Sequence, residues 1–185
     1  HDSDPLQANR LFTRDGTYLR LVVNDSANPK QAIVEFSDGS RHHFEEEAPN
    51  TSRYRLWKIT DGWKDGSGAY PNYVEVYYYA ADTPGEAETR AHWDLVDSLG
   101  RIQTVAFITR TGSPSTVVAE VILTATAGQT LHYQFEYASG TTTRPCKETC
   151  RVDNTLPNWT VDLSLLASVT AKDDTGTVLE TWRFP

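Results

Sequence analysis

The chain has 185 residues and a mass of 20.7 kDa, enough for one domain with a core of its own. Its net charge of −8 reflects 25 acidic against 17 basic residues, and the basic ones are scattered singly, so a phosphate backbone would be repelled. With 38% hydrophobic and 23% charged residues the composition is globular rather than disordered, and no apolar stretch approaches the roughly 18 residues that span a bilayer.

A polar lead occupies residues 1–10, and from Leu11 one unit recurs: an apolar, β-branched or aromatic strand, a tight Asp/Ser/Gly turn, and a second such strand. It is read over residues 11–23, 32–44, 92–108, 121–137 and 166–184, and over 55–79 around a longer turn. Asp15-Gly16, Asp38-Gly39, Leu99-Gly100, Ala127-Gly128 and Thr175-Gly176 each place a glycine where positive φ is cheap. Only residues 83–92 and 162–167 suggest a helical turn, and neither carries a sustained apolar stripe. One hairpin buries little by itself, so successive hairpins must join. The expected fold class is all-β: serial antiparallel β-hairpins forming a continuous, spiralling sheet, in a single domain over residues 1–185.

The connectors are polar, and the longest is 139–159, which carries Cys146 and Cys150. Two cysteines four apart are too few for a zinc site, so a short-loop disulfide stapling a surface excursion is expected, in an oxidising compartment. The chain has no Met, and its end, ETWRFP, follows a strand directly; a piece of something longer is the expectation. Asn24, Asn50 and Asn158 stand in Asn-x-Ser/Thr sequons, which matter only in a glycosylating host.

In that order, DGTYLRL, VEFSDGSRHHFE, RYRLWKITD, NYVEVYYY and WDLVDSLGRIQTVAF resemble RHS (YD-repeat) proteins, and LTATAGQTLHYQFEYA and LLASVTAKDDTGTVLETWRFP read the same way. The likeness runs from about Leu11 to Pro185 and is to the section ahead of the regular repeats in large bacterial cell-surface RHS proteins. It implies a secreted or cell-surface β-ribbon winding into a hollow shell, which in related systems encloses a toxin or serves adhesion. The Tyr-Asp pair that closes the usual unit is absent; Tyr79, Phe107, Tyr137 and Phe184 stand at comparable strand ends. No match to the self-cleaving aspartyl-protease core is present, so autoproteolysis is not carried over. The partners implied are the remainder of a larger RHS polypeptide, or copies of the chain through β-edge pairing.

Candidate sites are few. Within the long turn, Asp61, Asp65, Ser67 and Asn72 offer oxygen ligands among glycines, which suits calcium, although the spacing fits no EF-hand. Trp63, Tyr70 and Tyr73 in the same stretch could stack on sugar rings of surface glycans. His1 could hold copper through its amine and ring, with His42, His43, His92 or His132 completing a brace, but nothing else here resembles a copper monooxygenase. Adjacent His42 and His43 point to opposite faces of a strand and cannot share one metal. Glu120 and Glu136 are expected to face each other across a hairpin, a pairing any acidic β protein yields. No nucleophile elbow or other catalytic constellation is present. The reading is a non-catalytic structural scaffold with no required cofactor and no nucleic-acid partner, ahead of a glycan-binding module.

Overall fold

The computed structural model describes residues 2–4, 7–12, 19–49, 51–109, 116–125, 127–145 and 158–185. They are all-β, antiparallel strands in an open sheet, with no helix among the described residues. The chain forms two compact units, His1–Tyr78 with Trp93–Ile102, and Tyr79–His92 with Gln103–Pro185.

The first unit holds β1 (Asp2–Asp4), β2 (Gln7–Phe12), β3 (Arg20–Asn24), β4 (Gln31–Glu35), β5 (Arg41–Glu46) and β6 (Tyr54–Thr60). It also holds most of β7 (Tyr73–Tyr79) and of β8 (His92–Asp97). Strand order is chain order, as expected of linked hairpins. Register sorts the side chains into rows. Leu21, Val34, His42, Ile59 and Val74 lie opposite one another across five strands and make an apolar row. The neighbouring row, Arg20, Glu35, Arg41, Thr60 and Tyr73, is on the other face because side chains alternate along each strand. There Glu35 bridges Arg20 and Arg41, the latter at 2.7 Å, and Lys58 meets Glu75 at 2.9 Å. Such cross-strand pairs fix register as well as adding stability.

The second unit holds β9 (Ile102–Thr109, all but its first residue), β10 (Thr116–Thr124), β11 (Thr130–Pro145), β12 (Asn158–Asp173) and β13 (Val178–Arg183). Val105, Val121, Tyr133 and Ala171 form its apolar row; Ala106, Glu120, Gln134, Thr170 and Thr181 form the neighbouring one. Tyr133 and Trp182 stack at 6.4 Å over the apolar face.

One turn is used repeatedly. In the loops starting at Phe36, Asp65, Asp97, Ala125 and Asp173, the first residue's N–H donates to the carbonyl four positions on, and a glycine N–H three positions on donates back. Those glycines, Gly39, Gly68, Gly100, Gly128 and Gly176, have φ between +77° and +86°. A type I turn closed by a left-handed glycine bulge is the geometry that lets a three-residue loop join twisted strands. Where Asp comes first, as at Asp65, Asp97 and Asp173, its Oδ1 also accepts two of the loop's amides.

Three expectations are corrected. Residues 83–92 form bends and turns rather than a helical turn, and residues 162–167 lie inside β12. The stretch 139–159 is not wholly a surface excursion: β11 continues to Pro145 and β12 begins at Asn158, in register with it. A run of threonines, Thr141 to Thr143, supplies stiff β-branched residues that suit a strand despite its polarity. Cys146 and Cys150, like His1 and the turn glycine Gly16, lie outside the described residues.

Burial is inverted relative to an ordinary sheet. Among the described residues the only buried apolar side chains are Ala106 and Ala171. The other buried residues are Glu35, Glu46, Thr60, His92, Glu120 and Ser168. Long, ion-paired side chains cover much of the polar face, while Leu21, Val34, Ile59 and Val74 stay only half-buried.

Candidate functional site

In the first unit, the long turn between β6 and β7 is an extended hairpin. Its arms are joined by the Asp61 N–H donating to the Asn72 carbonyl at 3.3 Å, and it is closed by the shared turn at Asp65. The four expected calcium ligands pair off. Asn72 Nδ2 donates to Asp61 Oδ2 at 2.7 Å, while the Ser67 hydroxyl donates to Asp65 Oδ1 at 2.6 Å. Asp65 also takes the Ser67 and Ala69 amides, and these bonds, the Ser67 hydroxyl foremost, hold its carboxyl below the usual range. The glycines of this loop serve the turn and a close approach: a Cβ on Gly62 would stand 2.3 Å from the Asp38 carbonyl oxygen.

The three aromatics differ in what they meet. Lys58 Nζ sits 4.0 Å from the Tyr73 ring centroid, and Tyr70 has Arg41 at 4.9 Å and Lys64 at 5.0 Å. Those cation contacts draw both rings into the sheet's own polar face. Trp63 is 59% exposed.

The same hairpin arm borders a groove of about 460 Å³ lined by Ile59, Asp61, Asn72, Val74, Leu99 and Arg101, with Tyr73, Asp97 and Ser98 completing it. The Ser98 amide donates to the Tyr73 carbonyl at 2.9 Å, which ties the turn after β8 to the start of β7. The lining also holds an ion pair, Arg101 Nε to Asp97 Oδ2 at 2.6 Å. That contact, with the Arg101 and Leu99 amides, holds the Asp97 carboxyl low. Both polar pairs are therefore fixed before any ligand arrives. Sequence reasoning named Asp61, Asn72 and Tyr73 but missed Asp97, Leu99 and Arg101, whose only signal was the turn LGR after an Asp.

The second unit gathers a charged network. Arg90 donates to Glu88 and, at 2.7 Å, to Glu120; His132 Nδ1 meets Glu120 at 2.9 Å and its Nε2 meets Thr130 at 3.0 Å. The Arg90 hydrogen bonds hold the Glu88 carboxyl at about 2. Burial works to raise Glu120, but Arg90, His132 and Gln134 outweigh it and its carboxyl is lowered. Glu120 lies opposite Gln134, not Glu136 as the sequence suggested; Glu136 accepts from Ser168 at 2.8 Å. The hairpin turn closed by the Ala125 N–H on the Gln129 carbonyl sets this register, pairing Thr124 with Thr130 and so Glu120 with Gln134. The two carboxylates are thus not a facing acid–base pair.

The histidines are engaged locally. His42 packs on Phe36 and His43 on Trp57, consistent with opposite faces. His92 stacks on Tyr79 at 4.6 Å while its Nδ1 meets the Arg90 carbonyl at 2.9 Å. No family model, no curated protein and no solved structure matches the chain.

Proposed function

We propose that this chain is a structural β-scaffold segment of a secreted, RHS-type protein, contributing to a shell or self-associating assembly and carrying out no catalysis of its own. One observation carries the reading: a sheet with regular apolar rows that buries, among the described residues, only two alanines of its apolar complement. Fully burying an aliphatic side chain is worth about 1.5–3 kcal/mol, so partly exposed Leu21, Val34, Ile59 and Val74 each forgo about 0.1–1 kcal/mol. A second layer of protein recovers that energy; an isolated enzyme or receptor domain of this size would supply the layer itself. The ordered hairpin phrases that resemble RHS proteins support the same reading, with the rest of the polypeptide or further copies as the layer. The compartment that goes with it is extracellular.

The test is to charge the apolar face. Replacing both Val34 and Ile59 by Glu should leave the strand spectrum of the chain intact while abolishing its assembly and its binding of an apolar dye. Loss of the fold in that variant, with no assembly by the parent chain, would mean that the face is an internal core and the scaffold reading is wrong.

A further inference from the structure

The 460 Å³ groove of the first unit has the size of a small-ligand site. Three aliphatic residues, Ile59, Val74 and Leu99, line it, and Leu99 is 76% exposed at a turn where a polar residue would serve the backbone equally well. The same lining holds two polar pairs joined by their own hydrogen bonds: the amide and carboxylate of Asn72 and Asp61, and the guanidinium and carboxylate of Arg101 and Asp97. Each pair presents a donor beside an acceptor. Arg101 and Asp97 cancel in charge, leaving Asp61 as the single net charge of the lining, a negative one.

Those features select among ligands. Anions face a net negative lining on a chain of net charge −8. An apolar peptide would leave both polar pairs without new partners, at a desolvation cost. A neutral polyhydroxylated ring suits the lining best: its C–H face lies on aliphatic side chains, and its vicinal hydroxyls each donate to a carboxylate and accept from an amide or guanidinium. Trp63, two residues along from Asp61 and 59% exposed, supplies the aromatic plane that such rings stack upon. Its backbone amide is anchored on Asp61 Oδ1 at 3.1 Å, which ties the main chain at Trp63 to a carboxylate that lines the groove.

We infer that this groove is a saccharide-binding site, with Asp61, Asn72 and Arg101 reading hydroxyl groups and Trp63 stacking on the ring. Tyr70 and Tyr73 are not the platform, because their rings are engaged by Arg41, Lys64 and Lys58. The inference goes beyond the scaffold reading and meets it at one place: Ile59 and Val74 end the apolar row, so a sugar bound there leaves the rest of that row, and not these two side chains, for a protein layer.

The experiment uses the whole chain with three neutral probes, cellotetraose, maltotetraose and chitotetraose, read by saturation-transfer NMR and calorimetry. At least one probe should bind saturably with Kd of about 1 mM or tighter, and Trp63→Ala and Asp61→Asn should each weaken it by about tenfold. Trp63 is 59% exposed, and the thermal midpoint of that variant should match the parent's. Trp182→Ala, in the second unit, should leave the affinity unchanged. No transfer from any of the three sugars at about 10 mM overturns the inference, as does transfer that survives both groove substitutions unchanged.

Discussion

Replacing Gly62 by alanine is the sharpest test of how the first unit packs. The added Cβ would stand 2.3 Å from the Asp38 carbonyl oxygen and 3.0 Å from two backbone atoms of Gly39, where ordinary contact begins at 3.4 Å. The two loops must therefore part by about 1.1 Å, and both contacts are backbone, so no side-chain rotation relieves them. Overpacking of this kind costs about 1–3 kcal/mol. Without the clash, Gly→Ala would stabilise by about 0.4–1 kcal/mol through the unfolded chain, so the sign of the change decides the matter. Gly66, in the same hairpin arm, is the internal control: its added Cβ meets nothing within 4 Å. Urea unfolding followed by tryptophan fluorescence should show a lowered midpoint for Gly62→Ala and an unchanged or raised one for Gly66→Ala. Equal midpoints for the two variants would refute the close approach of the 61–63 segment to the turn at Gly39.

Two further predictions concern protons. Burial, then Arg41 and Lys58, push the His43 ring below its ordinary value of 6.5, so as pH falls through that value the unfolded chain binds its proton first and stability declines. His43→Gln should flatten the unfolding midpoint between about pH 7 and 5, and an unaltered slope would count against a buried neutral ring. Glu88 behaves oppositely. Its carboxyl, held at about 2 by Arg90 against an ordinary value of 4.5, contributes stability that is complete above the unfolded value and lost as pH falls toward 2. Glu88→Gln should remove part of the acid destabilisation across that window; a variant that loses stability with acid as steeply as the parent would show that the Arg90 contact does not persist in solution.

Much of the fold was legible because its signals are local. Alternation in residues 32–44 and a glycine at each turn named the hairpins, and every described turn glycine so named has positive φ. What the sequence concealed depends on register, which the length of one turn decides. Glu120 and Glu136 looked like partners by their places on adjoining strands, but the turn after Thr124 pairs that residue with Thr130 and so sets Glu120 against Gln134. The strand ends at 139–145 and 158–159 were hidden by polarity, since Ser, Gly and Thr carry turn and strand signals together. In the candidate site, Asp61 and Asn72 stood out as oxygen ligands, yet nothing in one dimension reveals that they line one groove with Arg101. Nor does it reveal that Asp65 is consumed by its own turn. The apolar alternation gave no hint that its residues would stay half-exposed, because hydrophobicity says which side chains seek cover and not whether the chain provides it.

The central claim is that the apolar face is covered by another layer of protein, and the native mass of the purified chain tests it most directly. Light scattering on a size-exclusion column should return a particle heavier than 20.7 kDa whose mass grows with concentration. A monodisperse 20.7 kDa species at every concentration, with no affinity for an apolar dye, would mean that the chain covers its own face, and would contradict the scaffold account.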